Sequence, residues 1–143
     1  MMGHNYFRYK KLLIGYWILI PILYFLYIYL AKLNQNTTYF NILTSQPIYS
    51  IYFLLAWIMI IQALLVIKAR DEIMNKYIRI FLFQQIMTLN IIGVILNFLL
   101  LKKCPQNGKF ISKEEGFIFK ISIVFIIVVS IISLFAFLRI VFN

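Results

Sequence analysis

The chain has 143 residues, of which 64% are hydrophobic and only 13% charged, with a formal net charge of +10. Soluble domains contain about 45–50% apolar and about 25% charged residues, and a chain this short could not hide such an excess of apolar side chains from water. The composition excludes an ordinary soluble domain and predicts an all-α integral membrane protein, because long uncharged runs satisfy their backbone in lipid as helices.

Four apolar runs follow one another along the chain, at about 12–31, 48–67, 80–101 and 118–138. Each approaches the ~20 residues that a membrane helix needs. Short loops join them, so we expect a single membrane domain over residues 1–143, folded as a four-helix bundle. Pro21 predicts a kink in the first span, and Pro47 fits the first turn of the second.

The cations suggest an orientation, since loops on the cytoplasmic side are enriched in Lys and Arg. Arg8, Lys10 and Lys11 precede the first span and only Lys32 follows it. The second loop is also basic, so we expect both termini in the cytoplasm. The third loop would then lie outside, with four lysines as a basic outer loop: Lys102, Lys103, Lys109 and Lys113. Either a short pair of spans tolerates these charges, or they meet an anionic partner or lipid headgroups.

Groups that carry chemistry are missing from the predicted spans. All four acids fall in loops, namely Asp71, Glu72, Glu114 and Glu115, and the chain has one histidine, His4, and one cysteine, Cys104. This pattern disfavours proton coupling, a haem anchor and a zinc site, so we expect no catalytic residue, no metal and no cofactor. Because the cations lie at span ends, we also expect no nucleic-acid partner.

The third span is the most polar of the four. Two faces share this polarity: Gln84, Gln85 and Thr88 on one, and Asn90, Gly93 and Asn97 on the other. Gln62 of the second span is a possible partner of the second face. Amide hydrogen bonds between membrane helices contribute about 0.6–2 kcal/mol each. These residues are therefore candidates for helix contact, within this chain, with another membrane protein, or along a polar path.

The fourth span carries a stripe of small residues at helical spacing. Ser122, Ser133 and Ala136 lie on it, together with Val129. Small residues at this period favour close helix packing, so the first three are also candidates for helix contact.

These features favour a non-catalytic membrane protein that associates through its helices with another membrane protein or with copies of itself. One version is an accessory subunit of a membrane complex. In architecture alone the chain resembles the four-span colicin-type immunity proteins, which are small and have both termini inside; the resemblance implies protection against a pore-forming bacteriocin. The alternative is a small oligomeric channel or transporter whose third span lines the path. We expect a bacterial cytoplasmic membrane, or an organelle inner membrane.

Overall fold

A computed structural model describes residues 3–105 and 112–142, which are helical with short turns and contain no strand. The helices are α1 (His4–Gln35), α2 (Tyr39–Ser45), α3 (Pro47–Lys68), α4 (Met74–Met87), α5 (Ile91–Leu101) and α6 (Lys113–Phe142), with a 3-10 turn at Asp71–Ile73 before α4.

Three of these helices are long and apolar enough to cross a membrane: α1, α3 and α6. They contain the first, second and fourth predicted spans. α1 continues through Pro21, and α3 begins at Pro47, where proline costs no hydrogen bond. Asn36, directly after α1, caps the helix, and its φ of 47° lies in the left-handed region that Asn tolerates. The chain therefore has the helices of a membrane-embedded protein.

The third predicted span, 80–101, is not one helix. It is divided into the end of α4 and the whole of α5 by a turn at Thr88, Leu89 and Asn90. α4 and α5 pack against each other, so the chain folds back as a helical hairpin. The four-helix bundle expected from the sequence is not confirmed, because hydropathy counts apolar residues and is blind to a turn among them.

One end of the bundle, which we call the basic end, gathers four parts of the chain. The Tyr6 hydroxyl and the Lys10 ammonium of α1 donate to Asp71 at 2.7 and 2.6 Å, which joins the start of α1 to the turn before α4. The rings of Tyr77 and Phe119 lie 4.8 Å apart, which places the start of α6 beside the start of α4. Cys104, just beyond α5, belongs to the same buried cluster as Tyr6. The hairpin thus enters and leaves at this end.

The opposite end of the bundle contains α2 and the turns around it. The Tyr24 hydroxyl of α1 donates to the backbone oxygen of Tyr49 in α3 at 2.6 Å. Phe137, near the end of α6, lines a small cavity together with Ile48 at the start of α3. α6 therefore runs from the basic end to the opposite end, as α1 does.

The hydrophobic core lies mainly in the half of the bundle nearer the basic end. Trp17 is fully buried and meets the Phe81 ring edge-on, with ring centroids 5.4 Å apart. Leu100 of α5 and Ile126 of α6 are buried in the same cluster. Because the hairpin fills only this half, the three long helices are less completely covered beyond its tip.

Candidate functional site at the tip of the hairpin

The turn that divides the third apolar run has unusual backbone geometry. Leu89 has a φ of 54°, in the left-handed region that non-glycine residues rarely enter. Such a conformation costs on the order of 1–3 kcal/mol and persists only where the surrounding structure holds it. The Leu89 side chain is 69% exposed, so the contacts that fix the turn come from its neighbours.

Two polar side chains beside Leu89 satisfy backbone groups that the turn leaves open. The Asn90 side-chain oxygen accepts the Gly93 backbone N–H at 3.0 Å and so caps the start of α5. The Thr88 hydroxyl donates to the Gln84 carbonyl at 3.1 Å, near the end of α4. In lipid no water is available for these groups, so side-chain caps are what allow a turn inside an apolar run.

Below the tip, three buried glutamines hold the hairpin against α3. Gln62 donates to Gln84 at 2.9 Å, and Gln85 donates to Gln62 at 2.9 Å and to Gln84 at 2.8 Å. All three side chains are at most 3% exposed. The Gln85 oxygen Oε1 is buried without a hydrogen-bond partner in the described part of the chain, but the three bonds link every pair of these glutamines. Since a buried amide without partners is costly, these bonds fix the depth and rotation of α4 against α3.

The two arms of the hairpin approach closely at Gly93. A Cβ atom at this position would lie 2.2 Å from Oε1 of Gln85, so only glycine fits without displacing that side chain. One turn further along α5, the buried Asn97 donates to the Gly93 carbonyl at 2.7 Å. The glycine therefore permits the return of the chain at this point.

A cavity of about 310 Å³ lies at the tip, between the hairpin and the helices α1 and α3. Polar groups from both sides reach it: Tyr16, Tyr24, Tyr52, Gln84, Gln85, Thr88 and Asn90. The remaining lining residues are apolar: Ile20, Leu55, Ala56, Met59 and Leu89. Among the residues that the structure describes, the lining includes no Asp, Glu, Lys, Arg or His, so the described surface of the cavity is polar but carries no formal charge.

The side chain of Asn90 joins α1 to the hairpin and also faces this cavity. Its oxygen accepts from the Tyr16 hydroxyl as well as from Gly93. Both of these bonds use the side-chain oxygen as acceptor, and the side-chain amide nitrogen of Asn90 has no hydrogen-bond partner among residues 3–105 and 112–142. The cavity therefore offers an N–H donor from Asn90 and hydroxyl oxygens from tyrosines, which suits a ligand that both donates and accepts hydrogen bonds.

On the other side of the tip, a smaller cavity of about 70 Å³ separates α3 from α6. Thr88 and Leu89 line both cavities. Ser133 of α6 also lines the smaller one, and its buried hydroxyl has no partner in the described part of the chain. The tip is thus flanked by space on two sides, where the chain leaves the bundle incompletely filled.

The charged groups lie away from these cavities, at the basic end. Burial alone would raise the pKa of Asp71, but the hydrogen bonds from Lys10 and Tyr6 outweigh it and hold this pKa below its usual value. Arg70, between α3 and the 3-10 turn, pairs with Glu115 of α6 at 3.4 Å and lies 3.7 Å from Glu72. These contacts fasten the base of the hairpin to α1 and α6.

Most of the predicted helix-contact residues turn inward. Gln62, Gln84, Gln85, Gly93, Asn97 and Ser133 are buried, whereas Thr88, Asn90, Ser122 and Ala136 are partly exposed. The structure thus joins Gln62 to the two glutamines and not to Asn90 or Asn97.

The inward face of α6 differs slightly from the predicted stripe. Ile126, Ser130 and Ser133 are its buried residues, and the Ser130 hydroxyl donates to the Ile126 carbonyl at 2.6 Å. This bond to the preceding turn satisfies the Ser130 hydroxyl, which therefore needs no partner on another helix.

Of the predicted basic outer loop, Lys102 and Lys103 follow α5 and Lys113 begins α6, all at the basic end; Lys109 lies outside the described residues.

Sequence reasoning missed Tyr16 as a site residue, because a tyrosine near the end of an apolar run also fits an interfacial aromatic belt. The signal that could have found it is the presence of amides at mid-run in the third segment, since these require hydroxyl or amide partners from other helices.

No protein-family model, no curated protein and no solved structure matches this chain.

Proposed function

We propose that the protein is an integral membrane protein that admits small, uncharged polar solutes to the cavity at the hairpin tip. The observation that carries this proposal is the convergence of Tyr16, Thr88 and Asn90 on a cavity without formal charge. It corresponds to the channel or transporter alternative, with the third apolar segment lining the path as a hairpin.

The lengths of α4 and α5 support a segment that enters the membrane only part of the way. They have 14 and 11 residues. At about 1.5 Å per residue they measure roughly 21 and 17 Å, against a hydrocarbon core of about 30 Å. Non-helical backbone at such a depth is tolerated where it is covered by protein or lines a polar cavity, and Thr88, Leu89 and Asn90 of this turn line such a cavity.

The charge distribution supports an orientation with the basic end in the cytoplasm. Among the described residues, every Lys and Arg except Lys32 and Arg139 lies within about two turns of the segments that meet at this end. They are Arg8, Lys10, Lys11, Lys68, Arg70, Lys76, Arg79, Lys102, Lys103, Lys113 and Lys120, and in sequence Lys109 falls between Lys103 and Lys113. In this topology the N-terminus is cytoplasmic and α6 carries the chain to the other side, which replaces our expectation of two cytoplasmic termini.

Cysteine labelling tests this topology. In a Cys104→Ser background, Asn36→Cys and Ser112→Cys would each introduce an exposed thiol. A membrane-impermeant maleimide added to intact cells should label the first and leave the second unlabelled until the cells are lysed. Labelling of both thiols from the same side would contradict the hairpin and restore a third crossing.

The chemistry of the solute follows from the lining. An ion would enter the cavity without a counter-charge, and an unpaired charge away from water is strongly disfavoured. A small alcohol or amide instead exchanges its hydrogen bonds to water for bonds to Asn90 and the tyrosines, at little net cost.

Stopped-flow light scattering with proteoliposomes tests this proposal. Urea and glycerol should enter liposomes that contain the protein faster than protein-free liposomes, whereas potassium chloride should not. Asn90→Leu, and the milder Tyr16→Phe, should slow entry, while Asn34→Leu, exposed and outside the cavity, should not. Solute entry that equals the protein-free rate would refute the proposal.

Association with another membrane protein, including a bacteriocin, is our second proposal. The observation that favours it is the outer face of α6, which presents exposed Phe117, Ile121, Val124, Phe125 and Val128 along a shallow apolar groove. Mild solubilisation and affinity capture should recover a specific membrane protein, and Val124→Arg should abolish its recovery. Recovery of this chain alone would contradict the proposal.

A further inference from the structure

We propose that the outer face of the first two turns of α1 is a binding surface for an anionic phospholipid headgroup. The surface consists of His4, Phe7, Arg8 and Lys11, which line a shallow groove of about 300 Å³. This inference is independent of the cavity at the hairpin tip.

The inner face of the same two turns holds the helix in place. Tyr6 is 1% exposed, and its hydroxyl and the ammonium of Lys10 both bond to Asp71. Because these contacts fix the rotation of α1, the opposite face is presented in one orientation. A prepared surface loses less conformational entropy on binding than a mobile one does.

Arg8 and Lys11 are left without a counter-charge. Neither forms an ion pair within residues 3–105 and 112–142. In that part of the chain Asp71 pairs with Lys10. Glu72 and Glu115 both lie within ion-pair distance of Arg70. Residues three apart on a helix are neighbours on its surface, so one phosphate can contact the guanidinium and the ammonium together.

The position of the groove identifies the phosphate as one that belongs to a lipid. The uncharged run of α1 begins at Leu12, directly after Lys11, so both cations lie within about two turns of the hydrocarbon boundary. Phe7, which lines the same groove, is 47% exposed, as suits a ring at the level where headgroups meet acyl chains. The described residues that line the groove include no acid, which favours a net-negative headgroup over one that carries its own ammonium.

Native mass spectrometry of the purified full chain tests this site. Protein released from nanodiscs of phosphatidylcholine and phosphatidylglycerol should retain phosphatidylglycerol in excess of its share. The single substitutions Arg8→Gln and Lys11→Gln should each reduce this retention about fivefold, as expected for the loss of one cation near an anionic surface. Lys32→Gln, at the opposite end, is the matched control and should retain lipid as the parent does.

The alternative outcomes are distinct. Equal retention of both lipids, or an equal loss in Lys32→Gln, would overturn the site, since either result indicates diffuse attraction. Displacement of the bound lipid by millimolar inorganic phosphate would show that the groove recognises a free anion instead. Helical circular dichroism that is unchanged in each variant excludes misfolding as the cause.

Discussion

Replacing Gly93 by alanine tests the hairpin directly. The new methyl carbon would lie 2.2 Å from Oε1 and 2.8 Å from Cδ of Gln85, distances that no real contact sustains. Gln85 is fully buried and its amide nitrogen makes two hydrogen bonds, to Gln62 and Gln84, so its side chain cannot withdraw without breaking them. If the third apolar run were instead one continuous helix, residues 85 and 93 would lie about 12 Å apart along its axis, and an alanine at position 93 would not contact Gln85.

The size of the effect follows from three contributions to the free energy of unfolding. Overpacking costs about 1–3 kcal/mol. Two lost hydrogen bonds between membrane helices add about 0.6 kcal/mol each. The higher helix propensity of alanine returns at most about 1 kcal/mol. We therefore expect Gly93→Ala to lower the free energy of unfolding by about 1–3 kcal/mol.

Equilibrium unfolding in mixed micelles, followed by tryptophan fluorescence, measures this difference. Gly15→Ala is the matched control, because nothing lies within 4 Å of a Cβ atom there, and it should be neutral or slightly stabilising. In a Gln85→Ala background the larger part of the Gly93→Ala penalty should disappear. A Gly93→Ala protein as stable as Gly15→Ala, or a penalty that is unchanged without Gln85, would refute the close approach of the two arms.

Three further predictions concern the basic end and the glutamines. Burial raises the pKa of Cys104 to about 12, so a maleimide at neutral pH should react with the folded protein roughly a thousandfold more slowly than with the unfolded one, since the thiolate is the reactive form; equal rates would contradict its burial. Because the pKa of Asp71 is lowered in the fold, its ionised form stabilises the fold at every pH above the usual Asp pKa of about 3.9. This stabilisation is lost as the pH falls through the pKa of the folded state. Acid titration should therefore show this loss in the parent and in Glu114→Gln but not in Asp71→Asn, and identical acid profiles would exclude a role for the pair. Gln62→Leu should cost about 1–2 kcal/mol in micelle unfolding, because it removes partners from two buried amides; an unchanged midpoint would mean that the glutamines find other partners.

The long helices could be predicted from the sequence because their signal is simple. Uncharged runs near 20 residues have one low-energy form in lipid, and α1, α3 and α6 contain the three runs where that form is realised. That the amides of the third segment need partners on other helices follows from the same logic. Which amides pair does not, because we expected Gln62 beside Asn90 and Asn97 and it bonds to Gln84 and Gln85 instead.

The turn at Leu89 could not be predicted from hydropathy, because leucine and the isoleucines after it are as apolar as any helical residue. What decides the local structure is a competition between one more helical turn and a set of side-chain caps. Asn90 can cap α5 only if the chain has already turned, and Gly93 is useful only if Gln85 faces it. Each condition depends on the tertiary packing of the hairpin, which no local pattern contains.

The distribution of Lys and Arg along the sequence nevertheless argued against a third full crossing. With a third crossing, eight of the cations would lie on one side and six on the other, which is hardly a preference under a rule that orients most membrane proteins. In the topology we propose, twelve lie on one side and only Lys32 and Arg139 on the other. A half-depth hairpin therefore accounts for two oddities of the third segment together. Its polar residues would be needed because a turn within the membrane must supply its own hydrogen-bond partners. Its basic flanks on both sides would be permitted because, in the proposed topology, both remain on the cytoplasmic face.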